Sequence, residues 1–250
     1  MKRQIAFVIS FILLVSCGGN RWDEIRTDDG YNLVIQKKGQ TLGYTSASGV
    51  TIITKDGYAF KDMNRNGSLE PYEDWRLSAE ERAADLASRL PIEEIAGMML
   101  YSSHQAVPSR SGMFGGAKYN GKSYDESGAA ASDLSDAQKK FLKEDNLRAV
   151  LVTTVESPEV AARWNNNMQA FVEGLGHGVP SNTSSDPRHE TTATAEYNYG
   201  AGGTISHWPT TLGLAATFNP DVVEKGARVA AVEATATEAT TTETNNENEQ

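Results

Sequence analysis

The stretch VPSNTSSDPRHE, residues 179–190, crowds an acid, a guanidinium and an imidazole (Asp186, Arg188 and His189) around a proline. A carboxylate in such a place can accept two hydrogen bonds from neighbouring hydroxyls of a polyol. Charge-assisted bonds of this kind are shorter and stronger than neutral ones. Arg188 can touch the same ligand or hold Asp186 ionised and oriented, and His189 stands as a further supporting group. A polar Asp-Pro turn with a surface arginine accounts for the same residues without any ligand.

A second constellation lies upstream. DMNRNGSLEPYE, residues 62–73, sets oxygen donors at the spacing of a twelve-residue calcium loop: Asp62, Asn64, Asn66, Glu70 and Glu73, with Gly67 at the sharp turn. Asparagine at the third and fifth positions lowers the charge, and no helical pattern precedes Asp62. An Asx-turn loop that caps the following helix is the competing reading. No cofactor is required by either constellation, and a structural Ca2+ at this loop is the one candidate. The chain carries no GxSxG elbow, no HExxH helix and no P-loop lysine after the glycines at 200–203. His177, His189 and His207 match no familiar metal-ligand spacing.

Elements that could position these groups follow from local pattern. Residues 18–55 are polar with short apolar runs at 33–35 and 50–53, which suggests a tether and one or two short strands. Ser78 followed by Glu81 predicts a capping box, with Ala83, Leu86 and Leu90 on one helical face and Pro91 marking a break before a second helix over 92–100. Residues 102–134 are rich in Gly, Ser and Ala and suggest a long surface loop, followed by a helix over 135–145. LRAVLV at 147–152 reads as a buried strand, and Ser157-Pro158-Glu159 as a helix start: a serine cap, proline at the first helical position and an early acid. With strand character returning at Val179, the order is strand, helix, strand, a unit that favours a parallel sheet or barrel.

Composition bounds the class. The 250 residues carry a net charge of −10, which excludes a phosphate-neutralising surface and hence a nucleic-acid partner. A single cysteine excludes an intrachain disulfide. That residue, Cys17, closes the run LVSC behind Lys2, Arg3 and a short apolar segment. Such a start is a secretory signal, too short for a comfortable membrane span. LVSC resembles the bacterial lipobox, so Cys17 is expected to carry lipid and anchor an exported, periplasmic or outer-membrane lipoprotein; an ordinary signal peptide is the alternative. The last stretch, 234–250, holds no apolar residue larger than alanine and is expected to stay disordered.

Three segments taken together resemble the N-terminal barrel domain of glycoside hydrolase family 3, the β-glucosidase and β-xylosidase family. They are DMNRNGSLEPYEDW (62–75), VPSNTSSDPRH (179–189) and ISHWPTTLGLAATFN (205–219), the last running into PDVVEKGARVAAVEA. The resemblance covers roughly 55–233 and implies an α/β fold, a partial (β/α)8 barrel incomplete at its C-terminus. It implies that Asp186 binds hydroxyls of the non-reducing-end sugar, with Arg188 and His189 in support. The implied chemistry is retaining, exo-acting hydrolysis of a β-linked glucoside or oligosaccharide by two carboxylates about 5–5.5 Å apart. No residue of this sequence matches the family's nucleophile or its acid/base. The expected organisation is therefore a signal (1–17), a tether with short strands (18–55), a partial barrel domain (56–233) and a tail (234–250). A surface lipoprotein that binds carbohydrate without cleaving it is the alternative.

Overall fold

A computed structural model of the chain describes residues 21–28, 30–110, 116–185 and 208–239. Its first part is antiparallel. Strands β1 (Trp22–Arg26), β2 (Asn32–Gln36) and β3 (Leu42–Tyr44) form one sheet in the order β1-β2-β3, and β4 (Thr51–Lys55) pairs with β5 (Tyr58–Asp62) as a hairpin. Asp56 and Gly57 both take positive φ in its two-residue turn, the backbone twist that a tight hairpin needs. The segment read as a tether is thus mostly strand from Trp22 onward. Its strands are three to five residues long and bury few apolar side chains, chiefly Val34, Ala59 and Phe60, so the window shows little alternation. Their order comes from cross-links: the Gln36 amide donates to the Ala59 carbonyl and accepts from its N–H, at 3.2 and 2.9 Å.

Helix α1 (Ala79–Arg89) begins at the capping box foreseen from Ser78 and Glu81, with both reciprocal bonds present. Helix α2 (Ile92–Met98) follows after Pro91. The Gly/Ser-rich region is more than a loop. It contains strand β6 (Gln105–Val107) and the single-turn helix α3 (Tyr124–Ser127), and it buries Val107, Tyr119 and Leu134. Three well-spaced anchors suffice there, which a low average hydropathy conceals.

The second part is a parallel unit. Helix α4 (Asp136–Lys143) is capped by Ser135, strand β7 (Ala149–Val155) follows, and α5 (Pro158–Glu173) starts at Ser157, whose hydroxyl accepts the Val160 N–H. Strand β8 (Asn182–Ser185) completes a three-stranded sheet in the order β6-β7-β8, with both pairings parallel. Val150 and Val152 of β7 alternate onto the helix side, where Leu142, Leu147, Trp164, Met168 and Val172 form the main core with Val107 and Leu134. The fold is therefore mixed α/β. Helices α6 (Thr211–Ala215) and α7 (Pro220–Ala239) end the described chain. α7 runs through Ala239, six residues into the segment expected to be disordered; alanine is a strong helix former, and extending a formed helix avoids the cost of nucleation.

Candidate functional site

In parallel sheets with helical crossovers, the carboxyl ends of the strands open the place where ligands meet the chain. Here those ends are Val107 of β6, Val155 of β7 and Ser185 of β8. Asp186 follows Ser185 directly in the chain, but Asp186, Arg188 and His189 lie outside the described residues, as do Cys17 and His207. Leading up to that point, β8 is fixed from both faces. The Thr183 hydroxyl donates to Asn165 of α5 at 2.8 Å, while Ser184, of opposite parity, shares a hydrogen bond with the Tyr101 hydroxyl. Gln169 of α5 clamps the Ser181 backbone through both its amide groups, at 2.9 and 3.1 Å.

The neighbouring strand ends carry a group that the sequence reading passed over. Glu156, directly after β7, donates its N–H to the Val107 carbonyl at 2.9 Å and forms an ion pair with Arg110. The Arg110 guanidinium lies over the Tyr124 ring, 5.0 Å from its centroid. Tyr119 supports this corner: its ring meets Tyr124 edge-on, and its hydroxyl accepts the Ser109 N–H at 3.0 Å. The signal available in the sequence was the acid closing the apolar run AVLVTTVE.

The loop 62–73 brings its five expected ligands together and closes on itself. Asp62 accepts the N–H groups of Asn66 and Gly67 at 3.0 and 2.9 Å, and Glu73 accepts those of Met63 and Glu70 at 2.7 and 3.1 Å. The side-chain amides of Asn64 and Asn66 donate to the two Glu70 oxygens, at 3.3 and 2.5 Å. Burial pushes the Glu73 carboxyl above the usual carboxylate range; the backbone N–H groups of Glu70, Met63 and Asn64 oppose the rise and the Glu70 side chain adds to it. Burial alone would raise Glu70 as well, but hydrogen bonds led by Asn66, with Arg89 nearby, hold it below its ordinary value. Calcium asks for six to eight oxygens directed at one point. Here two amide nitrogens face Glu70, and among the described residues no group of three or more His, Cys, Asp or Glu could hold a metal ion. As arranged, the Asp62 and Glu73 carboxylates cap the loop's own backbone.

This loop stands at the other end of β8. Arg65 donates to the Gly176 carbonyl at 3.3 Å and Tyr72 meets His177 edge-on at 6.4 Å, both residues of the turn that enters the strand. His177 itself lies 3.4 Å from a Glu94 oxygen. A cavity of about 150 Å³ opens there between Lys61, Met63, Tyr72, Trp75, His177 and Pro180. It is smaller than the ~300 Å³ at which ligand pockets begin. Four residues of strand, about 13 Å, separate this end from the rim that precedes Asp186.

Over 183 residues, 72% of the chain, the sequence is 36% identical to the periplasmic beta-glucosidase/beta-xylosidase of Dickeya chrysanthemi. The chain is a relative of β-glucosidases. It is also 30% identical over 174 residues to the probable beta-glucosidase C of Aspergillus oryzae and 27% identical over 169 residues to beta-glucosidase C of Emericella nidulans, covering 70% and 68% of the chain. It spans about a quarter of the length of these curated relatives, between 24% and 25%. No family model matches the chain.

Proposed function

We propose that this chain is the N-terminal portion of a family 3 glycoside hydrolase of the retaining, exo-acting β-glucosidase type, and that its own part in the reaction is to grip the terminal sugar. Asp186 accepts hydrogen bonds from two hydroxyls of the non-reducing-end pyranose, with Arg188 and His189 in support. The observation that carries the reading is the 36% identity, over 72% of the chain, to a protein named for β-glucoside and β-xyloside cleavage.

The topology supports a barrel origin for the parallel unit. β6, β7 and β8 add in chain order, and α4 and α5 pack on one face of the sheet, joined by the bond from Trp164 Nε1 to Gln138. A barrel grows in this way, strand by strand with helices outside. The 250 residues match neither the family's nucleophile nor its acid/base, so the reading assigns them binding and no bond cleavage. The chain is exported and held at a membrane by lipid on Cys17, in keeping with the periplasmic naming of one relative. Among the described residues no helix is long and apolar enough to cross a membrane.

Titration calorimetry with glucose and cellobiose, alongside a p-nitrophenyl β-glucoside assay, tests the reading. Saturable binding lost in Asp186→Ala, without turnover, is the expected result. Absence of sugar binding sinks the assignment.

A further inference from the structure

The cavity of about 150 Å³ lies where three parts of the fold meet: the end of β5, helix α1 and the turn that enters β8. Liquid water takes up ~30 Å³ per molecule, so the space suits a ligand of about five heavy atoms, too few for a pyranose ring.

Its polar lining is unevenly satisfied. Tyr72 is 5% exposed, and its hydroxyl has no hydrogen-bond partner among the described residues. A buried hydroxyl left in that state is unfavourable until something bonds it. Burial, then the nearby Glu73 and Glu70 carboxylates, raise the pKa of this phenol, with Arg89 opposing, so it keeps its proton and can donate as well as accept. Arg82 donates its Nε–H to the Tyr72 carbonyl at 3.1 Å, and no carboxylate among the described residues pairs with its guanidinium. Glu73, also 5% exposed, takes its hydrogen bonds from the backbone N–H groups of Met63, Asn64 and Glu70, and no cation among the described residues pairs with it. Lys61, by contrast, is matched by Glu173 and by the Gly43 carbonyl at 2.9 Å.

These charges select the ligand. An anion would suit Arg82 but face Glu73, and a cation would meet the reverse. An apolar molecule would leave the Tyr72 hydroxyl without a partner. A small zwitterion answers all three groups.

We propose that this cavity binds a small zwitterionic α-amino acid, of glycine or alanine size, with its carboxylate on Arg82, its ammonium on Glu73 and the Tyr72 hydroxyl bonded to either pole. Leu42, Leu86 and Trp75 wall the remaining space. The site uses no residue assigned to the sugar grip and is tested apart from it. The experiment is a heteronuclear NMR titration of the full chain with glycine and with L-alanine at constant ionic strength, followed at the Trp75 indole N–H. Saturable shifts in the low-millimolar range are expected. Propionate and ethylamine, which carry one pole each, are expected to bind at least about tenfold more weakly, the loss of one charge-assisted contact. Tyr72→Phe should weaken glycine about tenfold, and Arg82→Gln by at least as much. Tyr72→Phe removes a hydroxyl that bonds nothing among the described residues, so without ligand it should melt within about 2 °C of wild type. Absence of a saturable shift with either amino acid means that the cavity holds water alone and overturns the proposal. Propionate or ethylamine matching glycine, or Tyr72→Phe keeping wild-type affinity, overturns it as well.

Discussion

Arg148 is buried at 6% exposure, and among the described residues its guanidinium donates to three backbone carbonyls and to no carboxylate. Leu142, whose carbonyl lies 2.7 Å from Nη1, is in the last turn of α4, where helix carbonyls lack partners. Leu147, at 2.8 Å, precedes β7, and Val179, at 3.0 Å from Nε, leads into β8. One side chain therefore ties together a helix end, a strand start and the approach to the candidate site. Burial lowers its pKa, opposed by the more distant Glu94. Arg148→Met removes three acceptors' partners at about 1 kcal/mol each, so a loss of about 3 kcal/mol is expected. Arg148→Lys reaches fewer of the carbonyls and should cost about 1–2 kcal/mol. Urea unfolding followed by tryptophan fluorescence is the assay. With a slope of about 2 kcal/mol/M, the methionine variant's midpoint should fall by roughly 1.5 M. Buried charges replaced by apolar residues sometimes stabilise a protein. If Arg148→Met matched or exceeded wild type, the guanidinium's desolvation would outweigh its three bonds, and the account of this junction would be wrong.

Asp74 receives a two-pronged bond from Arg76, at 2.8 and 2.6 Å, which holds its pKa below the ordinary carboxylate value. The stability it supplies is complete above about pH 4 and is lost as pH falls through the lowered folded value. Asp74→Asn should therefore unfold more easily at pH 7 and lose less stability between pH 5 and pH 2, read from urea midpoints against pH. Because the 62–73 loop is closed by its own hydrogen bonds, millimolar Ca2+ should move the melting temperature by no more than about 1 °C; a rise of several degrees that disappears in Glu73→Ala would restore the ion to this loop. Cys17 should incorporate labelled palmitate when the chain is expressed with its signal in a bacterium, and Cys17→Ser should abolish both label and membrane fractionation. Labelling retained in Cys17→Ser would remove the anchor.

What the sequence disclosed best was chemistry confined to a few neighbours. The Ser78–Glu81 capping box and the Ser157-Pro158-Glu159 start were legible because their hydrogen bonds join residues three apart. The β7–α5–β8 unit was legible because Val150 and Val152 lie in an apolar run and α5 carries its own cap. The antiparallel strands at 22–62 were not, since Gln36 meets Ala59 and Lys61 pairs with Glu173 across distances that no local window spans. Nor was the Arg110–Glu156 pair, in which an arginine within a glycine-rich stretch meets an acid 46 residues later. The oxygen spacing at 62–73 was read correctly as a tight loop, but spacing alone does not say whether oxygens point at an ion or at the loop's own amides.

The sugar grip itself is tested most directly by saturation-transfer NMR of the full chain with methyl β-glucoside, comparing wild type with Asp186→Asn, which keeps the side chain's size but removes its charge. Transfer to the pyranose protons in wild type, lost in the variant while its melting temperature is retained, is the predicted result. Equal transfer in both proteins, or none in wild type, would contradict it.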